Sequence, residues 1–307
     1  MTIARLKPLL RWLILGAALF FLASTVRQHW HEVAAIRLDK RGWQLLAIAL
    51  LTTLLAHVWT GWVWGWILKA LGQSTSASWS IRTYLTTNIA KYLPGNVWHF
   101  YGRVWAAQKV GVPLAIAIVS VVLEPLLMAA SALLVGLLGI RQAGWGLQAL
   151  SLAIALALVH PRILNPVLHK LSRKKASTDE GMAVEAQQVE QIGLQRYPVW
   201  PLIGELIFLG LRSLGFIWIV LAFAPIPPEQ VLPVFSAFSF AWLLGLVVPG
   251  APGGIGVFEA TAIALLPAQL TPAVILSAVA CYRLVSTLAE ALGAIAGWGV
   301  GKLAKQP

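Results

Sequence analysis

Two interrupted stretches decide how this chain folds: Lys91-Tyr92-Leu93-Pro94-Gly95-Asn96-Val97-Trp98 and Val248-Pro249-Gly250-Ala251-Pro252-Gly253-Gly254-Ile255-Gly256. Each lies between helix-like runs, within 80–109 and 229–266. Proline removes a backbone donor and glycine allows unusual backbone angles, so each tip carries unpaired amides. At membrane depth such amides are tolerated only inside protein or facing water. Ile81–Leu93 has thirteen residues, or ~20 Å as helix, whereas a bilayer core is about 30 Å thick. A half-length segment with a broken tip reads as a re-entrant hairpin. The alternative is a kinked full-length span, and the longer first arm of the second region, Gln230–Val247, keeps it open there.

Composition puts these breaks in a membrane. Of 307 residues, 59% are hydrophobic and only 11% are charged, against roughly 25% charged in an average soluble domain. The mean hydropathy is +0.78. A soluble chain of this size cannot bury so much apolar surface. A soluble globular enzyme, a disordered chain, a coiled coil and a disulfide scaffold are excluded, leaving an all-α polytopic membrane protein. The net charge of +12 then reports topology, with Lys and Arg retained on the cytoplasmic side. The pI of 10.3 is therefore no argument for a nucleic-acid partner. The single Cys281 forms no intrachain disulfide. Several of the fifteen Trp sit at segment ends, as interface anchors do.

The reading is one integral membrane domain, 1–307, with about six spans. Trp12–Val26 follows Arg5, Lys7 and Arg11; it resembles a signal peptide, but Ala23-Ser24-Thr25 is a poor cleavage site, so it reads as an uncleaved span. Further spans are expected at 43–68, 113–139, 147–160 (short), 199–224 and 272–300. A first half, 1–160, carries hairpin 80–109; a cytoplasmic loop, 161–197, holds Arg162, Lys170, Arg173, Lys174, Lys175 and Arg196; a second half, 198–307, carries hairpin 229–266. With both termini cytoplasmic, the connections 225–230 and 267–271, which lack Lys and Arg, fall outside. The four Lys and Arg of 27–41 run against this assignment. The two hairpins then enter from opposite faces of a cytoplasmic (inner) membrane.

That opposition implies an inverted repeat. In each half a broken hairpin precedes a span with a charge near its centre: Glu124 lies thirty residues after Pro94, and Arg283 thirty-one after Pro252. Paired broken helices in the two halves of a chain point to a transport site at the midplane.

The stretch 91–98, together with Pro252-Gly253-Gly254-Ile255-Gly256-Val257-Phe258-Glu259 and Tyr282-Arg283, resembles the signatures of the lysylphosphatidylglycerol synthase transmembrane-region, or flippase-like, family. The resemblance covers nearly the whole chain. It implies a membrane domain that moves a lipid across the bilayer, here expected to stand alone without a lipid-synthesising domain. Membrane lipids are the implied partners, with a phospholipid or a polyprenyl phosphate as substrate.

The candidate substrate-binding residues are Lys91, Asn96, Glu124, Arg212, Glu259 and Arg283. Lys91 and Asn96 stand at the first tip, where a cation and an amide can meet a lipid phosphate; a snorkelling Lys is the plainer alternative. Trp98, His99 and Tyr101 read as lining or anchoring the hairpin. An ionised carboxylate at a helix centre costs roughly 2.5–3.5 kcal/mol on insertion scales. Glu124 and Arg283 are therefore expected to pair with each other or to share one polar cavity. Glu259 follows the second break and can brace it by accepting tip amides, in preference to touching substrate. Arg212, with Glu205 and Glu290, can extend a polar path or serve structure. His57 reads as a core histidine. The tip residues are Pro94, Gly95, Pro249, Gly250, Pro252, Gly253, Gly254 and Gly256.

Gly61–Gly65 and Gly293–Gly297–Gly301 are small-residue packing patterns, for helices within the chain first and for a homodimer second. No metal-ligand spacing, phosphate loop or dinucleotide fingerprint is present, so no cofactor is expected. The leading expectation is translocation of a polar or charged lipid, not enzymatic chemistry. A membrane-embedded transferase or phosphatase on a lipid carrier, and a structural partner in envelope assembly, are the alternatives.

Overall fold

The structure, a computed structural model, describes residues 38–92, 97–139, 145–176, 193–248, 254, 256–266 and 270–303. The expected first span, 12–26, lies outside them, as do Pro94, Gly95, Asn96, Pro249, Gly250, Pro252 and Gly253. All regular structure among the described residues is helical.

Helix α1, Lys40–Ala70, starts at Asp39, whose carboxylate accepts the Gly42 amide at 2.6 Å, and ends where Gly72 takes φ 79°. Helix α2, Ala77–Asn88, starts at Ser76, whose hydroxyl accepts the Trp79 amide at 3.2 Å. A 3-10 turn, Ile89–Tyr92, follows α2. Then come α3, Trp98–Lys109; α4, Leu114–Gly139; α5, Trp145–Leu158; and α6, Pro161–Ala176. The second half holds α7, Val199–Phe223; α8, Pro228–Val247; α9, Val257–Leu265; and α10, Pro272–Leu303. Proline opens α8 and α10, where its missing N–H costs nothing.

Five of these helices, α1, α4, α7, α8 and α10, are long and apolar enough to cross a membrane. The pair Gly146–Leu158 and Pro161–Val167, bent by 57°, makes a sixth if taken as one span. The stretch expected to be loop from residue 161 therefore begins as helix. The reason lies in its sequence: Ile163, Leu164, Val167 and Leu171 recur at helical spacing.

Both broken regions fold back on themselves. In the first, a Cβ on Gly102 would stand 3.0 Å from Thr87, and Arg103 lies over the Tyr84 ring. In the second, Gly245 faces Gly254, and Phe238 and Phe258 pack with ring centroids 5.6 Å apart. Gly254, at φ +73°, permits that approach: an added Cβ would lie 2.9 Å from the Gly245 Cα.

Small residues seat the first hairpin within the chain. A Cβ on Gly61 or Gly65 of α1 would stand 3.0 Å from the Ile81 Cα or 2.7 Å from the Ser80 Oγ of α2. On the other side, one on Gly293 or Gly297 of α10 would stand 3.0 Å from Leu85 or 2.9 Å from Thr86. Thus α2 is clasped between α1 and α10. Phe216, Phe238, Phe258 and Tyr282 join α7, α8, α9 and α10 in one buried aromatic cluster, with centroids 5.2–6.3 Å apart.

Candidate functional site

Helix α10 acts as a ruler for the two hairpins. Near its C-terminal end it meets the base of the first, Gly297 against Arg82 and Thr86. Further back, Gly293 meets Leu85, and at the middle Glu290 and Thr287 meet the turn residues Lys91 and Tyr92. The second hairpin arrives from the other end. Helix α9 ends at Leu265, seven residues before α10 begins at Pro272, and Gly254, ahead of α9, meets Arg283. The tips therefore approach the middle of one helix from its two ends. Arg283 and Glu290 are seven residues apart, about 10 Å along the axis. Arg283, Thr287 and Glu290 fall at spacing four and three, on one face.

At the first tip Lys91 Nζ donates to Glu290 Oε1 at 2.6 Å. The same carboxylate oxygen lies 3.3 Å from His57 Nε2, and Arg212 Nη1 lies 3.2 Å from that ring nitrogen. The Arg212 guanidinium also covers the Tyr282 ring, 5.1 Å from its centroid. Four elements thus supply one polar cluster: the turn, α1, α7 and α10. His57, Arg212 and Glu290 are buried, whereas the Lys91 side chain is 21% exposed. Among the described residues the cluster sets a lysine and an arginine against one carboxylate.

At the second tip Arg283 Nε donates to Glu259 Oε1 at 2.5 Å, and its Nη2 donates to the Gly254 carbonyl at 2.8 Å. Glu259 Oε2 reaches back to the Gly256 amide, also at 2.5 Å. That bond satisfies one of the free donors at the start of α9 and adds a carboxylate where the helix dipole favours it. One side chain braces the turn while the other grips its backbone. Again the carboxylate is buried, at 4%, and the cation is partly exposed, at 29%.

A third polar centre lies in the first half. Arg103 of α3 pairs with Glu124 of α4, and both are buried. The guanidinium sits among Trp64, Tyr84 and Phe100, with centroids at 5.8, 4.7 and 5.3 Å. Such rings stabilise a cation that has lost its water. Glu205 of α7, wholly buried, accepts from Thr60 at 3.5 Å. Pro125, following Glu124 within α4, leaves the Val121 carbonyl without its usual helical donor.

The structure corrects the expected Glu124–Arg283 pair. Each charge finds its partner in the returning arm of the hairpin before it: Arg103 twenty-one residues before Glu124, Glu259 twenty-four before Arg283. The pairing is local because the returning arm packs directly on the following helix. The signs are exchanged between the halves. Lys91, Arg212 and Glu290 come together, as does Glu259 with Arg283, while Asn96 lies outside the described residues. Trp98 and Tyr101 are exposed and His99 is buried. Two residues of these polar centres stood outside the candidate set. His57 was expected in the core and is buried there, beside Arg212 and Glu290; Arg103 passed unmarked because its segment is polar enough to look interfacial. The signal for Arg103 was its place opposite Glu259, a charge in the returning arm of each hairpin.

Helices long and apolar enough to cross a bilayer, two of which carry the buried, ion-paired Glu124 and Glu290, define an integral membrane protein. Residues 9–293 match the family described as lysylphosphatidylglycerol synthase TM region, and the chain belongs to that family, a family of membrane proteins concerned with lipid handling. Among curated proteins there is no match.

Proposed function

We propose that this protein carries a lipid with a phosphate-bearing headgroup across the cytoplasmic membrane, with no covalent step. Both hairpins are re-entrant in this reading and enter from opposite faces as halves of an inverted repeat. The headgroup passes between the tips while the acyl chains stay in lipid. One observation carries the proposal. Two cations, Lys91 and Arg283, stand partly exposed at the two tips, and each is backed by a buried carboxylate on or beside the same face of α10. An anion arriving there meets cations that are already held in place. A lipid phosphate suits them: it is anionic, and it accepts from a guanidinium through two oxygens. Family membership supports lipid as the cargo.

The test is reconstitution into liposomes containing fluorescent phospholipids or polyprenyl phosphates, scored for movement between leaflets. Wild type should exceed protein-free liposomes for at least one lipid. Arg283→Lys should lose most of that excess although it keeps the charge. A lysine cannot reach Glu259 and the Gly254 carbonyl with two separate donors set at fixed angles. Equal rates with and without protein for every lipid would refute the proposal.

A further inference from the structure

His57 stands between two incompatible partners. Its Nε2 is 3.2 Å from Arg212 Nη1 and 3.3 Å from Glu290 Oε1. A neutral ring that accepts from Arg212 at Nε2 carries its proton on Nδ1 and donates nothing to Glu290. A ring that donates from Nε2 to Glu290 no longer accepts from the guanidinium. Its Nδ1 is buried and has no hydrogen-bond partner among the described residues, and the same holds for Glu290 Oε2 and Arg212 Nε. Glu290 Oε1 is itself contested, with Lys91 at 2.6 Å. The carboxylate thus has two rivals for one oxygen: the Lys91 ammonium, and His57 once its ring is protonated.

The charged and titratable groups facing His57 are Arg212 from α7, Glu290 from α10 and Lys91 from the 3-10 turn. The phenols of Tyr282 and Tyr92 flank this set, one under Arg212 and the other bonded to Thr287. A second imidazole, His99 of α3, interacts electrostatically with Lys91 and Glu290, whereas Glu124, Arg103 and Glu205 belong to the centre at Thr60.

We infer that His57 takes up one proton when an anionic lipid headgroup draws Lys91 away from Glu290. The inference rests on the proposed lipid transport. Before binding, Lys91 pairs with Glu290 and His57 is neutral. After binding, Lys91 pairs with the phosphate, and the imidazolium donates from Nε2 to Glu290. The proton comes from water at the open side. On release the phosphate leaves, Lys91 returns to Glu290 and the proton departs. No bond to the lipid forms or breaks. A monoanionic lipid and its proton cross together as a neutral pair. A pH gradient therefore drives the movement, and the membrane potential does not.

The experiment is calorimetric titration of the detergent-solubilised chain near pH 8, in two buffers of different ionisation heat. One ligand is a short-chain phosphatidylglycerol, a phosphodiester that does not titrate in this range. The second is farnesyl phosphate, fully ionised at that pH. Wild type should take up one proton per lipid bound. Its affinity should fall about tenfold per pH unit above the ordinary imidazole range, near 6.5. His57→Gln and Glu290→Gln should each bind without proton uptake and with an affinity independent of pH. Binding by wild type without proton uptake would overturn the inference and leave lipid transport standing. A normal proton count in His57→Gln would remove His57 from the step. Failure of both lipids to bind wild type would overturn the inference and the transport reading together. If neither variant folds, the wild-type proton count alone decides.

Discussion

Lys91 donates to Glu290 across 2.6 Å, although 199 residues separate them in the chain. That contact ties the first hairpin tip to the middle of the last span. It is also lopsided, since the lysine side chain is 21% exposed and the glutamate 1%. Removing one partner strands whatever charge is left behind, and the cost depends on which charge that is.

Glu290→Gln leaves Lys91 and Arg212 facing each other with no anion between them. Loss of one partner of a buried pair typically costs about 3–5 kcal/mol. Lys91→Gln leaves Glu290 with His57 and Arg212 beside it, so it should cost clearly less. Thermal unfolding in detergent should therefore rank wild type first, Lys91→Gln second and Glu290→Gln last. The reverse order of the two variants would mean that Lys91, not Arg212, holds the carboxylate.

The Arg103–Glu124 pair should behave as a closed structural unit. Arg103→Met or Glu124→Gln alone should lower folded yield and melting temperature, again by about 3–5 kcal/mol. The double variant should recover most of the loss, because neither charge is then stranded. Additive losses would show that the two side chains are supported separately, Arg103 by its aromatic cage.

Gly254→Ala should destabilise the second hairpin. Its φ of +73° disfavours a side chain, and the new Cβ would lie 2.9 Å from the Gly245 Cα. The left-handed conformation alone costs roughly 1–2 kcal/mol. Gly136→Ala, where the nearest atom is Phe240 at 3.9 Å, should be neutral or mildly stabilising. Unfolding midpoints of the two variants compare them directly. Equal midpoints would mean that the return from α8 to α9 is not tightly set.

Labelling tests the opposed entry of the hairpins. With Cys281 replaced by Ser, single cysteines at Glu229 and Arg196, both exposed, should react with a membrane-impermeant reagent from opposite sides. Arg196 should be reached from the cytoplasm and Glu229 from outside. Reaction of both from one side would end the inverted-repeat model.

The amino-acid sequence by itself determined the class of this protein. Its low charge and long apolar runs leave membrane spans as the solution, because unpaired backbone groups cannot face lipid. It also marked where the chain breaks, since Pro94-Gly95 and Pro252-Gly253-Gly254 cannot continue a helix. It picked out Lys91, Glu124, Arg212, Glu259, Arg283 and Glu290, since a charge among apolar residues is costly wherever it ends up. These signals are local: each is read from a residue and its neighbours. Which charge neutralises which was settled only by tertiary structure. The spacing of Glu124 and Arg283 from their breaks suits a repeat, and two opposite charges at matched depth invite pairing. Yet the returning arms α3 and α9 pack first against the helices that follow them, so Arg103 and Glu259 take those partners. Glu290 is left to Lys91 and His57, brought from 199 and 233 residues away by the way α2 is clasped between α1 and α10. Ion-pair choice follows the few ångströms of helix contact, and side-chain periodicity carries no record of which helix lies alongside.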